Sequence, residues 1–218
     1  LSTNVVYKAM LRDLIGPGVR AHGFTGTAPR WRKRYPNGDM LILGFQGSRY
    51  STGTEVHFTI NYDFKTAGKI EYELERVAAA KGPSAKKRDV GSGGGILTGR
   101  LGPKSARTDS SGSWWAVSDE RDAQRAADDI LPQVASLVGR CDEYAHDRDA
   151  LLEAVPFGTR GRRWDHAAFV LAERGPSSEL DDCLEEYLAD LIPRVRPHAE
   201  RTAAWIRAFA DRSSASTA

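Results

Sequence analysis

Between residues 55 and 64 apolar and polar side chains alternate without a break. Val56, Phe58, Ile60, Tyr62 and Phe64 fall on one side; Glu55, His57, Thr59, Asn61 and Asp63 fall on the other. Period two marks a strand with one face buried, so the polar side is the first place to look for a site. Residues 40–48 predict the preceding strand, largely apolar until Gln46. Residues 30–35 predict a further one, with Arg30, Arg32 and Arg34 opposite Trp31, Lys33 and Tyr35. Pro36-Asn37-Gly38-Asp39 between them is hairpin chemistry, because Asn-Gly takes positive φ readily. Residues 47–53 read as a polar turn. Short strands at 96–101 and 113–117 complete a sheet of about five strands. Three consecutive strands with short connections imply an antiparallel meander.

The rest of the pattern is helical. Tyr7, Leu11, Leu14 and Ile15 follow the spacing of a buried helix face. Gly16-Pro17-Gly18 is expected to interrupt it; a further turn at 19–22 ends on Gly23, with Phe24 folding back as a plug. Ile70, Leu74, Val77 and Ala78 share a face of a helix over 65–80. Residues 81–95, rich in Lys and Gly, are expected to form a mobile loop. Ser118 is expected to cap a helix whose first turn carries Asp119 and Glu120; its apolar stripe runs Ile130, Leu131, Val134, Leu137, Val138, Cys141, and Pro132 should kink or split it. Short helices follow at 147–155 and 164–174. Ser178 and Asp181 suggest a capping box for a helix burying Leu180, Cys183, Leu184, Tyr187, Leu188 and Leu191, broken by Pro193. A last helix uses Val195, His198, Thr202, Trp205, Ile206 and Phe209. Strands first and helices afterwards argue α+β: an N-terminal helix, the meander, and a helical C-terminal half packed on one sheet face. The expected division is a sheet domain at 1–155, a helical extension on the same core at 156–212 and a disordered tail at 213–218.

Composition changes this picture little. The chain has 218 residues, 40% hydrophobic and 28% charged, enough for a core without metals or disulfides. Its two cysteines, Cys141 and Cys183, make no disulfide framework, which points to a reducing cytoplasm. No apolar run is long enough to cross a bilayer, and residues 1–4 show no start of a secretory signal. Charge is more informative. The net value is +2, but residues 1–109 carry nine more cations than anions and residues 110–218 seven more anions than cations. Either the halves attract each other in one folded unit, or the first half meets an anionic partner.

The polar sheet face gathers the candidate chemistry. His57, Thr59 and Asn61 share it with Gln46 and Ser48, and with Arg30, Arg32 and Arg34, if the register aligns them; Arg100 and Trp114 or Trp115 would border the patch. Such a surface suits a carboxylate, a phosphate or a peptide backbone, since Arg offers planar paired donors. A solvated sheet face is the plainer alternative. The aromatic-basic run at 30–35 suggests nucleic acid, but Trp31 and Tyr35 lie opposite the arginines and read as core, so nucleic acid is disfavoured. His22, His57, His146, His166 and His198 form no metal-binding spacing, and there is no paired Cys-x-x-Cys. No metal or cofactor is expected. A Ser48–His57 pair oriented by Asp63 or Asp39 is a weak nucleophile reading. Gly91-Ser-Gly-Gly-Gly95 lacks the following Lys-Ser or Lys-Thr of a phosphate loop. The acidic positions Glu179, Asp181, Asp182, Glu185, Glu186 and Asp190 read as a solvated helix face or a docking face for a basic partner or a second copy.

The order of short motifs resembles a known family. A helix leads to Gly23-Phe24 and a basic aromatic strand; then come Gly44-Phe45-Gln46-Gly47-Ser48, Phe58-Thr59-Ile60-Asn61, Arg100-Leu101-Gly102, and Trp114-Trp115 before a helix. Over roughly residues 4–155 this resembles the bacterial family catalogued as domain of unknown function 4304. The stretch from Phe64 to Ile96 is longer than that family's compact spacing. The resemblance implies an α+β fold and no activity. The functional expectation is a non-enzymatic binding module with a protein partner or a second copy, inhibitory or immunity-like in one version. The alternative is an enzyme on an anionic small molecule or nucleotide, with Arg32, Arg34 and Arg100 holding the anion and His57 as acid or base. An enzyme would need a deep pocket joining His57 to those arginines; a binding module would show a shallow face with exposed aromatics.

Overall fold

The computed structural model describes residues 2–81, 93–155, 157–158, 161–189 and 191–215. The chain starts with one continuous helical run: α1 (Thr3–Ala9), a π-helical stretch (Met10–Ile15) and α2 (Gly16–Ala21). The expected break at Gly16-Pro17-Gly18 does not occur. The π-helical stretch shifts the ladder, with the Gly16 N–H donating to the Leu11 carbonyl five residues back, so the run passes through Pro17 in the position where a missing N–H is tolerated. Gly23 then ends it at φ +84°. Phe24 N–H donates to Val19 O and Gly23 N–H to Arg20 O, the Schellman pair, and Phe24 is buried.

The sheet strands are β1 (Thr25–Thr27), β2 (Arg30–Arg34), β3 (Met40–Gly47), β4 (Val56–Lys65), β5 (Leu97–Leu101) and β6 (Trp115–Val117), all pairs antiparallel. The order is β1-β2-β3-β4-β5, and β6 shares the β4 edge with β5, pairing with its opening residues. β1 is an edge strand that the alternation pattern did not reveal, since Thr-Gly-Thr carries no apolar residue. Between β4 and β5 lies α3 (Ala67–Lys81). After β6 come α4 (Glu120–His146), α5 (Arg148–Ala154), a two-stranded pair β7 (Phe157–Gly158) and β8 (Gly161–Arg162), α6 (Trp164–Ala172), α7 (Ser178–Ala189) and α8 (Arg196–Ala215).

Three local expectations are corrected. Asp119, not Ser118, caps α4, accepting from Asp122 N–H, while Asp122 reaches back to the N–H and hydroxyl of Ser118. Pro132 does not split α4. The α7 cap is Ser177, whose hydroxyl accepts from Leu180 N–H. Of the expected tail, residues 213–215 continue α8 and 216–218 lie outside the described residues, as does most of the expected 81–95 loop.

One large core lies on the face of Trp31, Leu41, Leu43, Phe45, Phe58, Ile60 and Phe64, and extends without interruption through α4 to α8. The C-terminal helices therefore pack on the same core as the sheet. The other face is not left bare. Met40 and Ile42 meet Ile70 and Leu74 of α3, so α3 seals one end of it. Asp39 is wholly buried in the turn before β3; its carboxylate accepts from both terminal nitrogens of Arg148 and from Ala67 N–H, which ties α5 and the start of α3 to the hairpin.

A glycine is required between α3 and β5. A Cβ at Gly95 would stand 2.8 Å from the Phe64 carbonyl oxygen and 3.1 Å from that of Leu97. Both are backbone atoms of paired strands and cannot swing aside. Gly95→Ala is therefore expected to cost about 1–3 kcal/mol, read as a lower urea midpoint with an unchanged m-value.

Candidate functional site

Strand register brings the predicted polar groups together. Arg30 pairs with Gly44, Gly44 with Asn61 and Asn61 with Arg100, which forms one row across four strands. At interstrand spacings of 4.7–4.9 Å that row is about 14 Å long. The neighbouring rows place Arg32 opposite Ile42, Ile42 opposite Asp63 and Asp63 opposite Thr98; Gln46 stands opposite Thr59 and His57 opposite Ala116. The alignment of faces assumed from the alternation is the one observed.

Their exposure divides them. At the end covered by α3 the polar groups are consumed by the fold. Lys65 is fully buried, with its ammonium on both oxygens of Glu73 at 2.8 and 2.6 Å. Asp63 is buried and accepts from Gly93 N–H. Thr59, expected on the binding face, is wholly buried and donates its hydroxyl to the Leu101 carbonyl; it bridges β4 to the end of β5 and is withdrawn from the site. Trp115 is withdrawn too. It lies in the core, stacked on Phe58, with its indole N–H on Asp129. The alternation within β6 sends Trp115 inward and leaves Trp114 half-buried on the other side.

The uncovered end keeps a connected row. Asn61 Nδ2 donates to Gln46 Oε1 at 2.7 Å, and Arg100 Nε donates to Asn61 Oδ1 at 3.2 Å. The Arg100 guanidinium lies over the Trp114 ring, 5.2 Å from its centroid. Gln46 and Arg100 are exposed, Asn61 half-buried. Trp114 is presented by a hairpin that Asp109 builds. The Asp109 carboxylate accepts from the Ser111 hydroxyl and from the N–H groups of Ser113 and Trp114, and Gly112 turns at φ +70°. Burial acts to raise the Asp109 carboxyl, but these donors outweigh it and hold it below the usual carboxylate range. Gly44, at the middle of the row, puts no side chain above the strand. Further along the row, at β4 and β5, an open depression of about 410 Å³ is lined by Asn61, Asp63, Thr98 and Arg100. The composition of residues 109–113, Asp-Ser-Ser-Gly-Ser, is turn chemistry and is the signal from which this presenting hairpin was legible.

The remaining arginines flank the row on β2. Arg34 is exposed, and Arg30 and Arg32 are partly buried. Burial, and then the like charges of Arg30 and Arg34, push the Arg32 guanidinium below its ordinary value, so the strand gathers positive charge at some electrostatic cost. Tyr50 lies in the loop after β3, at the Gln46 end, 67% exposed and stacked under Arg49.

The nucleophile reading finds no support in the geometry. Ser48 Oγ accepts from Tyr50 N–H, and His57 Nε2 is held by Glu55, which is itself paired with Arg107. Asp63 and Asp39, the proposed orienting groups, belong to Gly93 and Arg148. The depression beside Arg100 does not reach His57, which is not among the residues that line it. No cluster of His, Cys, Asp or Glu among the described residues is arranged to hold a metal ion. Cys141 and Cys183 are buried and not joined in a disulfide. No described helix is long and apolar enough to cross a membrane.

Comparison with known proteins gives one result. The family profile described as a domain of unknown function (DUF4304) matches residues 15–139, inside the 4–155 expected from the motifs. No curated protein and no solved structure matches the chain.

Proposed function

Since the chain belongs to the family of domain of unknown function 4304, whose description carries no activity, we propose from the geometry that it is a binding module, and that the uncovered end of its second sheet face docks a protein partner presenting carboxylates. The observation that carries this reading is the connected row Gln46–Asn61–Arg100–Trp114. Its side chains are already held by one another, so little rotamer freedom remains to be lost on docking. Arg and Trp are the side chains that most often dominate an interface, and here they are stacked. The shallow depression beside Asn61 and Arg100 fits a partner's backbone, and the flanking β2 arginines supply attraction for acidic side chains. The excess positive charge of residues 1–109 supports the same sign of partner. Two buried thiols outside any disulfide agree with a reducing cytoplasm as the place of action.

A photo-cross-linking residue at Thr98, exposed beside the row, tests the reading in cells. We expect a discrete adduct that Arg100→Glu abolishes. The same probe at Glu186, on the acidic α7 face, should give none. An adduct indifferent to Arg100→Glu, or one formed only from position 186, would remove the sheet face as the docking surface. An adduct of twice the chain mass would make the partner a second copy.

A further inference from the structure

A second site lies where α3 meets the C-terminal helices, away from the sheet row. Three elements send side chains at helical spacing into one cavity of about 280 Å³: Lys69, Tyr72 and Arg76 from α3, Asp165 and Phe169 from α6, and His198 and Thr202 from α8, with Tyr187 of α7 closing the wall. Of this lining, α3 and the neighbouring Gly93 and Gly94 fall inside residues 15–139, the family match, and the walls from α6, α7 and α8 fall outside it.

The hydrogen-bonding capacity of the lining is mostly spent. Thr202 donates its hydroxyl to the His198 carbonyl, so Tyr72 donates to Thr202 at 2.8 Å. Glu73 gives both oxygens to Lys65. Asp165 faces Arg163 at 3.3 Å and His166 at 3.5 Å. Lys69 is different. Its ammonium sits 4.3 Å from the Phe169 ring centroid and 5.3 Å from that of Tyr72, and no carboxylate among the described residues lies within ion-pair distance of it. Burial pushes this ammonium below the usual lysine value, and the partial attraction of Glu73 and Asp165 does not offset it. Arg76 stands exposed at the mouth. Both carboxylates therefore have cations of their own, and the surplus charge in the cavity is positive.

We infer that this cavity binds a small oxyanion, a carboxylate or a phosphate ester, with Lys69 as the contacting cation and Arg76 as the outer one. Three ammonium donors and no acceptor make Lys69 a point receptor for such a group. At about 30 Å³ per water, the space holds on the order of ten non-hydrogen atoms, so the ligand is a small metabolite rather than a nucleotide or peptide. Tyr72 and Phe169, which line the cavity, give its carbon frame an apolar wall. The site is independent of the sheet row, and either can fail without the other.

Thermal unfolding of the full chain tests it, with inorganic phosphate and citrate as probes against chloride at matched ionic strength. Once a probe is about tenfold above its Kd, wild type should gain about 2–5 °C, and Lys69→Met should gain nothing. Arg76→Gln should weaken the response several-fold. Which probe acts decides between phosphate and carboxylate. Should Lys69→Met fold poorly, wild type supplies the second readout: amine labelling of Lys69, followed by mass spectrometry, should slow in the presence of the active probe. An equal shift in wild type and Lys69→Met would assign the effect to general salting and overturn the site. So would no shift together with unprotected labelling.

Discussion

Replacing Glu73 by alanine is expected to destabilise the fold by about 3–5 kcal/mol. Lys65 has no exposed side-chain surface, and its ammonium is held by the two Glu73 oxygens and the Gly93 carbonyl. Removing Glu73 leaves that charge inside the protein with one neutral acceptor. The pair itself is a weak source of stability, because desolvating two ions roughly cancels their attraction. Lys65→Met with Glu73→Leu should therefore recover most of the loss. Urea unfolding of Lys65→Met, Glu73→Leu and the double variant reads the coupling directly. A Glu73→Ala cost below about 1 kcal/mol would mean that Lys65 reaches water, and that α3 does not seal this end of the sheet.

The second large effect is expected at Trp115. It is fully buried, stacked on Phe58 at 5.5 Å, and donates its indole N–H to Asp129 at 2.9 Å. Trp115→Ala should cost about 3–5 kcal/mol through the cavity it leaves. Trp115→Phe keeps a ring and loses the donor, for about 1–3 kcal/mol. Its pH dependence separates the two causes. Burial acts to raise the Asp129 carboxyl, but Lys104 N–H, the Trp115 indole and the Ser105 hydroxyl outweigh it and hold it below the usual range. Stability from a depressed carboxyl is complete above its unfolded value, about 3.9, and is lost as pH falls through the folded value. The gap between wild type and Trp115→Phe should therefore be widest near neutrality and narrow below about pH 4. A gap that is flat in pH would assign the whole cost to packing.

Both positions show where the sequence was legible. Alternation gave the meander and the face each residue takes, because period two leaves no freedom in which side a residue takes; the register partners came only with the strand pairing. Alternation was silent on what would cover each face. Thr59, Asp63 and Lys65 alternate as faithfully as Gln46 and Asn61, yet α3 folds over the end that holds Asp63 and Lys65, and Thr59 is buried at the other end on the Leu101 carbonyl. Ile70 and Leu74 were visible as an apolar stripe, but nothing in a stripe says which sheet face it will meet. The Trp114-Trp115 pair carried the same ambiguity, which pairing with β4 resolves by sending Trp115 to the core. Pro17 misled because a π-helical stretch upstream absorbs its missing donor, a tertiary solution without a local signature. The Lys69 cavity was the least legible of all, since its walls join α3 to three helices that lie far beyond it in the sequence, on the other side of β5, β6 and α4.

The central claim is that the open row on the second sheet face carries binding. Titrating the cross-linked partner, once purified, against wild type and against Arg100→Ala measures this most directly. Arg100 is exposed and, among the described residues, bonds only within the row, so its loss should leave thermal stability nearly unchanged while weakening the complex about 10–100-fold. Equal affinity for the two proteins, both folded, would place recognition elsewhere on the molecule.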